Sequence, residues 1–257
     1  MKQIIILFLS VIISSSLFGQ TNRSSSKQEE KLYPTRETVS RYHNNWTQKH
    51  YPQRISAFMK DPLEEGDIVF IGNSITEKGK DWSDKFGIPH IRNRGISGDV
   101  TDGVLKRLDE VIYYKPEAVF ILIGINDLFS IHHDADNRHQ LVYDKIVPSD
   151  KYVARNILRI AKEIRHKSPG TKVFVQTLLP TRRDYLKEDI LFVNKWIKKN
   201  ESKGFYKVID LYSHFVDENG DLKKELTIDG VHLSASGYEK WVNLEKPSIQ
   251  EIAKEHK

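Results

Sequence analysis

The stretch Asp67-Ile68-Val69-Phe70-Ile71-Gly72-Asn73-Ser74 decides the fold. Residues 67–71 make an apolar run without polar alternation, the pattern of a strand buried on both faces. Gly72 lets the chain turn sharply where the run ends, so Ser74 falls just past the strand's carboxyl end. Downstream the pattern recurs. Residues 88–93 read as a short strand, Val104, Leu108, Val111 and Ile112 fall on one face of a helix, and 118–123 (AVFILI) is another continuous apolar strand. Val153, Ile157, Ile160 and Ile164 mark a helix, 173–178 a strand, 190–197 a helix and 206–211 a short strand, and a last helix runs from Gly237 toward the C-terminus. Apolar strands alternating with helices predict a three-layer α/β domain whose parallel, doubly wound sheet is covered on both sides. Ligands of such sheets bind beyond the carboxyl ends of the strands, so the residues after each strand carry the functional question.

The chain upstream is of another kind. Residues 1–20 carry Lys2, an apolar run over 4–13 broken only by Ser10, and the small residues Ser14, Ser15, Ser16 and Gly19. That is the pattern of a secretory signal peptide. The run is shorter than the roughly 20 residues that span a bilayer, and no comparable run follows. Export to the periplasm or the exterior is expected, without stable membrane insertion after cleavage. Residues 21–32, rich in Ser, Gln, Glu and Lys, read as a flexible linker. One domain then fills 33–257, opening with an amphipathic lead-in helix that carries Tyr42, Trp46, Ile55 and Phe58 and is interrupted at Pro52.

Composition narrows the function classes. The 257 residues suit one large core. The net charge of +5 is modest and the basic residues are interleaved with acidic ones, so a nucleic-acid partner is not implied. The chain has no cysteine, which excludes disulfides, a thiol nucleophile and a lipid-modified cysteine.

Four blocks follow strands or sit beside glycines. Ser74 stands where a nucleophile would be lifted above the sheet, or where a serine would cap the next helix. Gly98, in Gly95-Ile96-Ser97-Gly98-Asp99, allows a backbone N–H close to a ligand, or makes an ordinary turn with Asp99 or Thr101 as the cap. In Gly124-Ile125-Asn126-Asp127, Asn126 offers an uncharged amide donor just beyond a buried strand, while Asp127 suits a structural turn. In Asp229-Gly230-Val231-His232, one loop can deliver both an imidazole and a carboxylate that fixes its tautomer.

In this chain order the blocks resemble the SGNH, or GDSL-type, hydrolase family, over about residues 67–237. The resemblance implies a flavodoxin-like α/β/α sandwich and a serine esterase that needs no cofactor or metal. It implies Ser74 as nucleophile, His232 as base and Asp229 as its partner. The oxyanion hole would comprise the N–H groups of Ser74 and Gly98 and the Asn126 side chain. One departure is Asn73, where the commonest first block has Asp; Asn keeps the hydrogen-bonding shape and loses the charge. Chains with Asn there look like the branch of acetylhydrolases similar to the platelet-activating-factor acetylhydrolase catalytic subunit and the carbohydrate O-acetylesterases. The expected partner is a small acylated substrate, an O-acetylated sugar above all.

Rival readings are a metal site in the histidine-rich run 131–139, a lipase or thioesterase for long acyl chains, and a carbohydrate-binding protein without turnover. No helical H-E-x-x-H spacing occurs in the run, which reads better as a polar lid beside the entrance. Polar segments such as Thr181-Arg182-Arg183-Asp184-Tyr185 suit a small acyl group on a polar carrier better than a long chain. Trp82, Arg92, Arg94, Tyr185 and the histidine-rich run are candidate substrate contacts, with Arg92 or Arg94 able to receive a substrate carboxylate.

Overall fold

The computed structural model describes residues 31–35, 40–135 and 141–255. The signal-like residues 1–20 and the linker over 21–30 lie outside the described residues. In chain order the elements are α1 (Thr47–Lys60), β1 (Ile68–Gly72), α2 (Ser74–Glu77), α3 (Trp82–Phe86), β2 (Ile91–Gly95), α4 (Thr101–Leu105), α5 (Asp109–Tyr114) and β3 (Ala118–Leu122). There follow α6 (Ile125–Ile131), α7 (Asp150–Lys167), β4 (Lys172–Gln176), α8 (Lys187–Asn200), β5 (Lys207–Ile209), α9 (Tyr212–Phe215) and α10 (Ala235–Glu255). The strands form one sheet in the order β2-β1-β3-β4-β5, every neighbouring pair parallel. Helices flank it in the three-layer α/β/α arrangement. The chain reverses its direction of travel between β1 and β3, and a crevice opens at such a switch point beyond the strands' carboxyl ends.

β1 and β3 are buried at every position, as unalternating apolar runs require. Phe70, Phe120 and Phe174 are register partners on three adjacent strands and stack as a ladder, with centroids 4.9 and 4.7 Å apart. Trp82 lies flat on Phe70 at 4.6 Å and meets Trp241 of α10 edge-on at 4.9 Å. Trp82 is thus a core residue, fully buried, and not the substrate contact that the sequence suggested. Among the described residues no helix is long and apolar enough to cross a membrane.

Other expectations are corrected locally. The lead-in helix is not interrupted: α1 runs through Pro52. Proline in its second turn forfeits a backbone bond, and burial of Thr47, Tyr51, Ile55 and Phe58 along one face carries the helix past it. Trp46 is left out of that buried face and is 49% exposed. The helix expected over Val104 to Ile112 is two, α4 and α5, because Arg107 between them turns inward. Its Nε donates to buried Asp99 at 3.0 Å, Nη1 to the Arg94 carbonyl at 2.8 Å and Nη2 to the Gly72 carbonyl at 3.1 Å. β2 begins at Ile91 and not at residue 88, since His90 adopts a left-handed φ of 63°.

Candidate active site

Beyond β1 the chain enters α2, whose N-terminus is capped by the side chain of Asn73: its Oδ1 accepts from the Ile75 N–H at 3.0 Å. The cap is therefore Asn73 and not Ser74. Asn performs this as well as Asp would, which accounts for the tolerated departure in the first block. Ser74 is the first residue of the helix, buried to 8% exposure, and its hydroxyl reaches into a cavity of about 970 Å³. Ser97, Gly98, Asn126, Asp229 and His232 line the same cavity.

His232 Nε2 lies 2.9 Å from Ser74 Oγ, and His232 Nδ1 lies 2.6 Å from Asp229 Oδ2. With Nδ1–H donating to the carboxylate, Nε2 is left as an acceptor for the serine hydroxyl. The other Asp229 oxygen accepts from the backbone N–H groups of Val231 at 3.0 Å and His232 at 2.7 Å. One carboxylate thus both shapes the loop and orients the ring. Burial opposes the Asp229 charge, but these bonds from His232 and Val231 outweigh it and bring its pKa down to about 2. The loop is also pinned from outside, where Arg182 N–H donates to the Gly230 carbonyl at 2.8 Å and Arg183 Nη2 to the Asp229 carbonyl at 3.2 Å.

Gly98 follows β2 with φ of 80°, a conformation glycine adopts at no steric cost. A Cβ there would stand 2.0 Å from Thr47 Oγ1, so the first turn of α1 lies directly against this glycine. Asn126 donates from Nδ2 to the Asp99 carbonyl at 3.0 Å, which braces the block after β3 against the block after β2. Asp127 strengthens that brace: it accepts from Thr101 N–H at 2.9 Å and Thr101 Oγ at 2.6 Å and so caps α4. Complete burial raises its pKa to about 7. Asp99 and Thr101, the expected caps of that helix, are instead partners of Arg107 and Asp127. Asp99 also meets His43 at 2.9 Å, so it is spent in the interior and the acid on His232 is Asp229.

Several lining residues escaped the sequence. Glu77, one turn after Ser74, accepts from the Ser97 N–H at 2.5 Å and from His50 Nε2 at 3.0 Å, with Arg54 Nε 3.3 Å away. Burial opposes its charge, but the Ser97, His50 and Arg54 contacts hold the carboxyl below its ordinary value. Its position in the same short helix as Ser74 was the available signal. Asn44, Trp46, Thr47 and His50 form another wall of the cavity, from a segment that carries none of the four blocks. Tyr185 lines the cavity as the sequence suggested. Arg94 does not; it is buried against Glu110 at 2.7 Å. Arg92 is likewise engaged, by Asp61 and by Asp67 at 3.7 Å, so neither arginine is left for a substrate carboxylate. In the histidine-rich run, His132 meets Asp189 at 2.5 Å and His133 meets Asp134 at 3.1 Å, while Asp136 and His139 lie outside the described residues. Among the described residues no group of three or more His, Asp or Glu is placed to hold a metal ion.

The alignment from carboxylate to imidazole to hydroxyl, with glycine N–H and amide donors on the same cavity, is the equipment of acyl transfer through a serine. Comparison with known proteins points to the hydrolysis of ester bonds. Platelet-activating factor acetylhydrolase IB subunit alpha2 of Homo sapiens is 27% identical over 205 residues, covering 77% of this chain and 80% of its own. A solved structure from Streptococcus pneumonia, named for platelet activating factor, is 28% identical, covers 80% of this chain and 95% of its own, and superimposes with a TM-score of 0.66. A catalytic mutant of an acetylxylan esterase from Geobacillus stearothermophilus shares the fold, with 18% identity, 74% and 95% coverage and a TM-score of 0.57. Residues 70–240 match the profile of the GDSL-like Lipase/Acylhydrolase family. The chain therefore belongs to the GDSL-like Lipase/Acylhydrolase family, and is with it a hydrolase of ester bonds.

Proposed function

We propose that this protein is an exported serine esterase that removes a short acyl group, acetyl above all, from a hydroxyl of a carbohydrate. The observation that carries the proposal is the unbroken line Asp229–His232–Ser74, with separations of 2.6 and 2.9 Å. Ser74 Oγ attacks the ester carbonyl while His232 Nε2 takes its proton, and Asp229 stabilises the resulting imidazolium. The tetrahedral oxyanion is held by the N–H groups of Ser74 and Gly98 and by Asn126. His232 then protonates the leaving alkoxide, which departs as the alcohol, and an acyl-Ser74 ester remains. Water, deprotonated by His232, attacks that ester and the acid is released as Ser74 recovers its proton.

Support for acetyl comes from the acetylhydrolases among the similar chains. Support for a sugar comes from the acetylxylan esterase of like fold and from the cationic Lys78, Lys80 and Arg183 on the cavity, which suit a polar acceptor. The signal-like residues 1–20 and linker 21–32 support export of a single mature hydrolase domain over 33–257. The test is acetate release from a panel of O-acetylated glycans, with acyl length varied in parallel on p-nitrophenyl esters. Acetylated sugars and the two-carbon ester are expected to be preferred. Preference for acyl chains of eight carbons or more, with acetylated sugars untouched, overturns the reading.

A further inference from the structure

From the geometry of the lead-in segment we infer that Trp46 is the platform on which the pyranose ring of the acceptor stacks, making this segment a determinant of substrate choice. The inference rests on the carbohydrate reading above and deepens it.

Among the aromatic residues of this segment, Tyr42 and Tyr51 are buried, whereas Trp46 is 49% exposed and lines the cavity that contains Ser74. Exposure alone is ordinary for a single apolar side chain, and Val142, Leu191 and Ile228 are more exposed; what marks Trp46 is its place on the cavity of Ser74. The ring is also held in place. It stacks on His50, with centroids 4.7 Å apart and planes 26° from parallel. His50 is fixed in turn by Glu77 at 3.0 Å, and the same Glu77 oxygen takes the Ser97 N–H beside Gly98. The backbone is fixed too: Asn44 Oδ1 accepts from Trp46 N–H at 3.1 Å and Thr47 N–H at 2.9 Å, and Asn45 N–H donates to the Val142 carbonyl at 2.8 Å. The platform and the oxyanion loop therefore share one support, and the ring binds at little cost in side-chain entropy.

A pyranose has flat C–H faces and a rim of hydroxyls. An indole face takes the former, and the Lys78 and Lys80 ammonium groups on the same cavity supply donors for the latter. A choline headgroup fits less well, because a quaternary ammonium wants an aromatic cage and here would stand among Lys78, Lys80 and Arg183. Trp46 precedes residues 70–240, so the family match itself does not assign an acceptor to it.

The test compares kcat and KM of the wild-type protein, Trp46→Ala and Trp46→Phe on mono-acetylated xylobiose, on an acetylated glycerophosphocholine and on p-nitrophenyl acetate. Trp46→Ala is expected to lower kcat/KM for the sugar relative to that for p-nitrophenyl acetate by roughly tenfold or more, through KM, as loss of a buried aromatic anchor does. Trp46→Phe is expected to recover most of that ratio, and circular dichroism checks that each variant is folded. A wild-type protein that deacetylates the sugar, with the ratio unchanged in folded Trp46→Ala, overturns the platform and leaves the carbohydrate reading standing. A wild-type protein inactive on the sugar overturns both. Preference for the choline ester, weakened by Trp46→Ala, assigns the platform to the wrong occupant and equally overturns the inference.

Discussion

Asn126 donates one amide hydrogen to the Asp99 carbonyl at 3.0 Å and lines the cavity of Ser74, and in the proposed mechanism its second N–H is the oxyanion donor. The first bond aims the second, so the donor is oriented before substrate arrives, and such preorganisation is what makes an oxyanion donor effective. Asn126→Ala is expected to lower kcat by about 10²–10³ with little change in KM, and steady-state kinetics on p-nitrophenyl acetate checks it. A loss below about threefold contradicts the role. At this scale the sequence was informative where a residue type and its neighbours restrict the chemistry, as for Ser74 after Gly72 and for Asp229 three residues before His232. It left Glu77 and His50 out of the site and set Trp46 on the packed face of the lead-in helix, because the wall they form depends on a contact between α1 and α2 that hydrophobic periodicity does not record. It misplaced Trp82 and Arg94, both of which are consumed by the core.

Elements were legible to the extent that burial is periodic. The runs in β1 and β3 and the α7 stripe of Val153, Ile157, Ile160 and Ile164 declare themselves, since each residue of the pattern faces the same neighbour. Element ends were less legible, because they depend on single side chains: Arg107 splits α4 from α5, and a buried face carries α1 past Pro52. α10 holds a further such residue. Glu245 is fully buried and accepts from Gln176 Nε2 at the end of β4 at 2.6 Å. Burial raises its pKa from 4.5 to about 8. An acid raised on folding binds more protons in the folded chain, so its contribution falls as pH rises through that interval and is level on either side. Asp127, raised to about 7, acts in the same sense, whereas Asp229, lowered to about 2, favours folding until the pH drops below the ordinary carboxylate range. Glu245→Gln is expected to raise stability at pH 8 by on the order of 1 kcal/mol or more, and to leave it nearly unchanged near pH 4.5. Urea unfolding at several pH values checks this, and parallel pH profiles for the two proteins contradict it.

At the scale of the whole molecule, the parallel doubly wound sheet followed from alternation of apolar strands and helices, and strand order then brings the residues after β1, β2 and β3 to one crevice. His232 arrives there from the loop before α10, 158 residues from its hydrogen-bonding partner Ser74. That meeting was legible only through the order of the four blocks and the family they resemble, since no periodicity relates segments so distant. What remained hidden is the wall contributed by the chain before β1, where the acceptor platform is proposed. A serine nucleophile served by His232 makes the turnover of folded Ser74→Ala protein on p-nitrophenyl acetate the decisive measurement. A fall in kcat of roughly 10⁵-fold or more is expected, since removing the nucleophile disables the whole triad. Turnover within tenfold of the wild-type protein contradicts it.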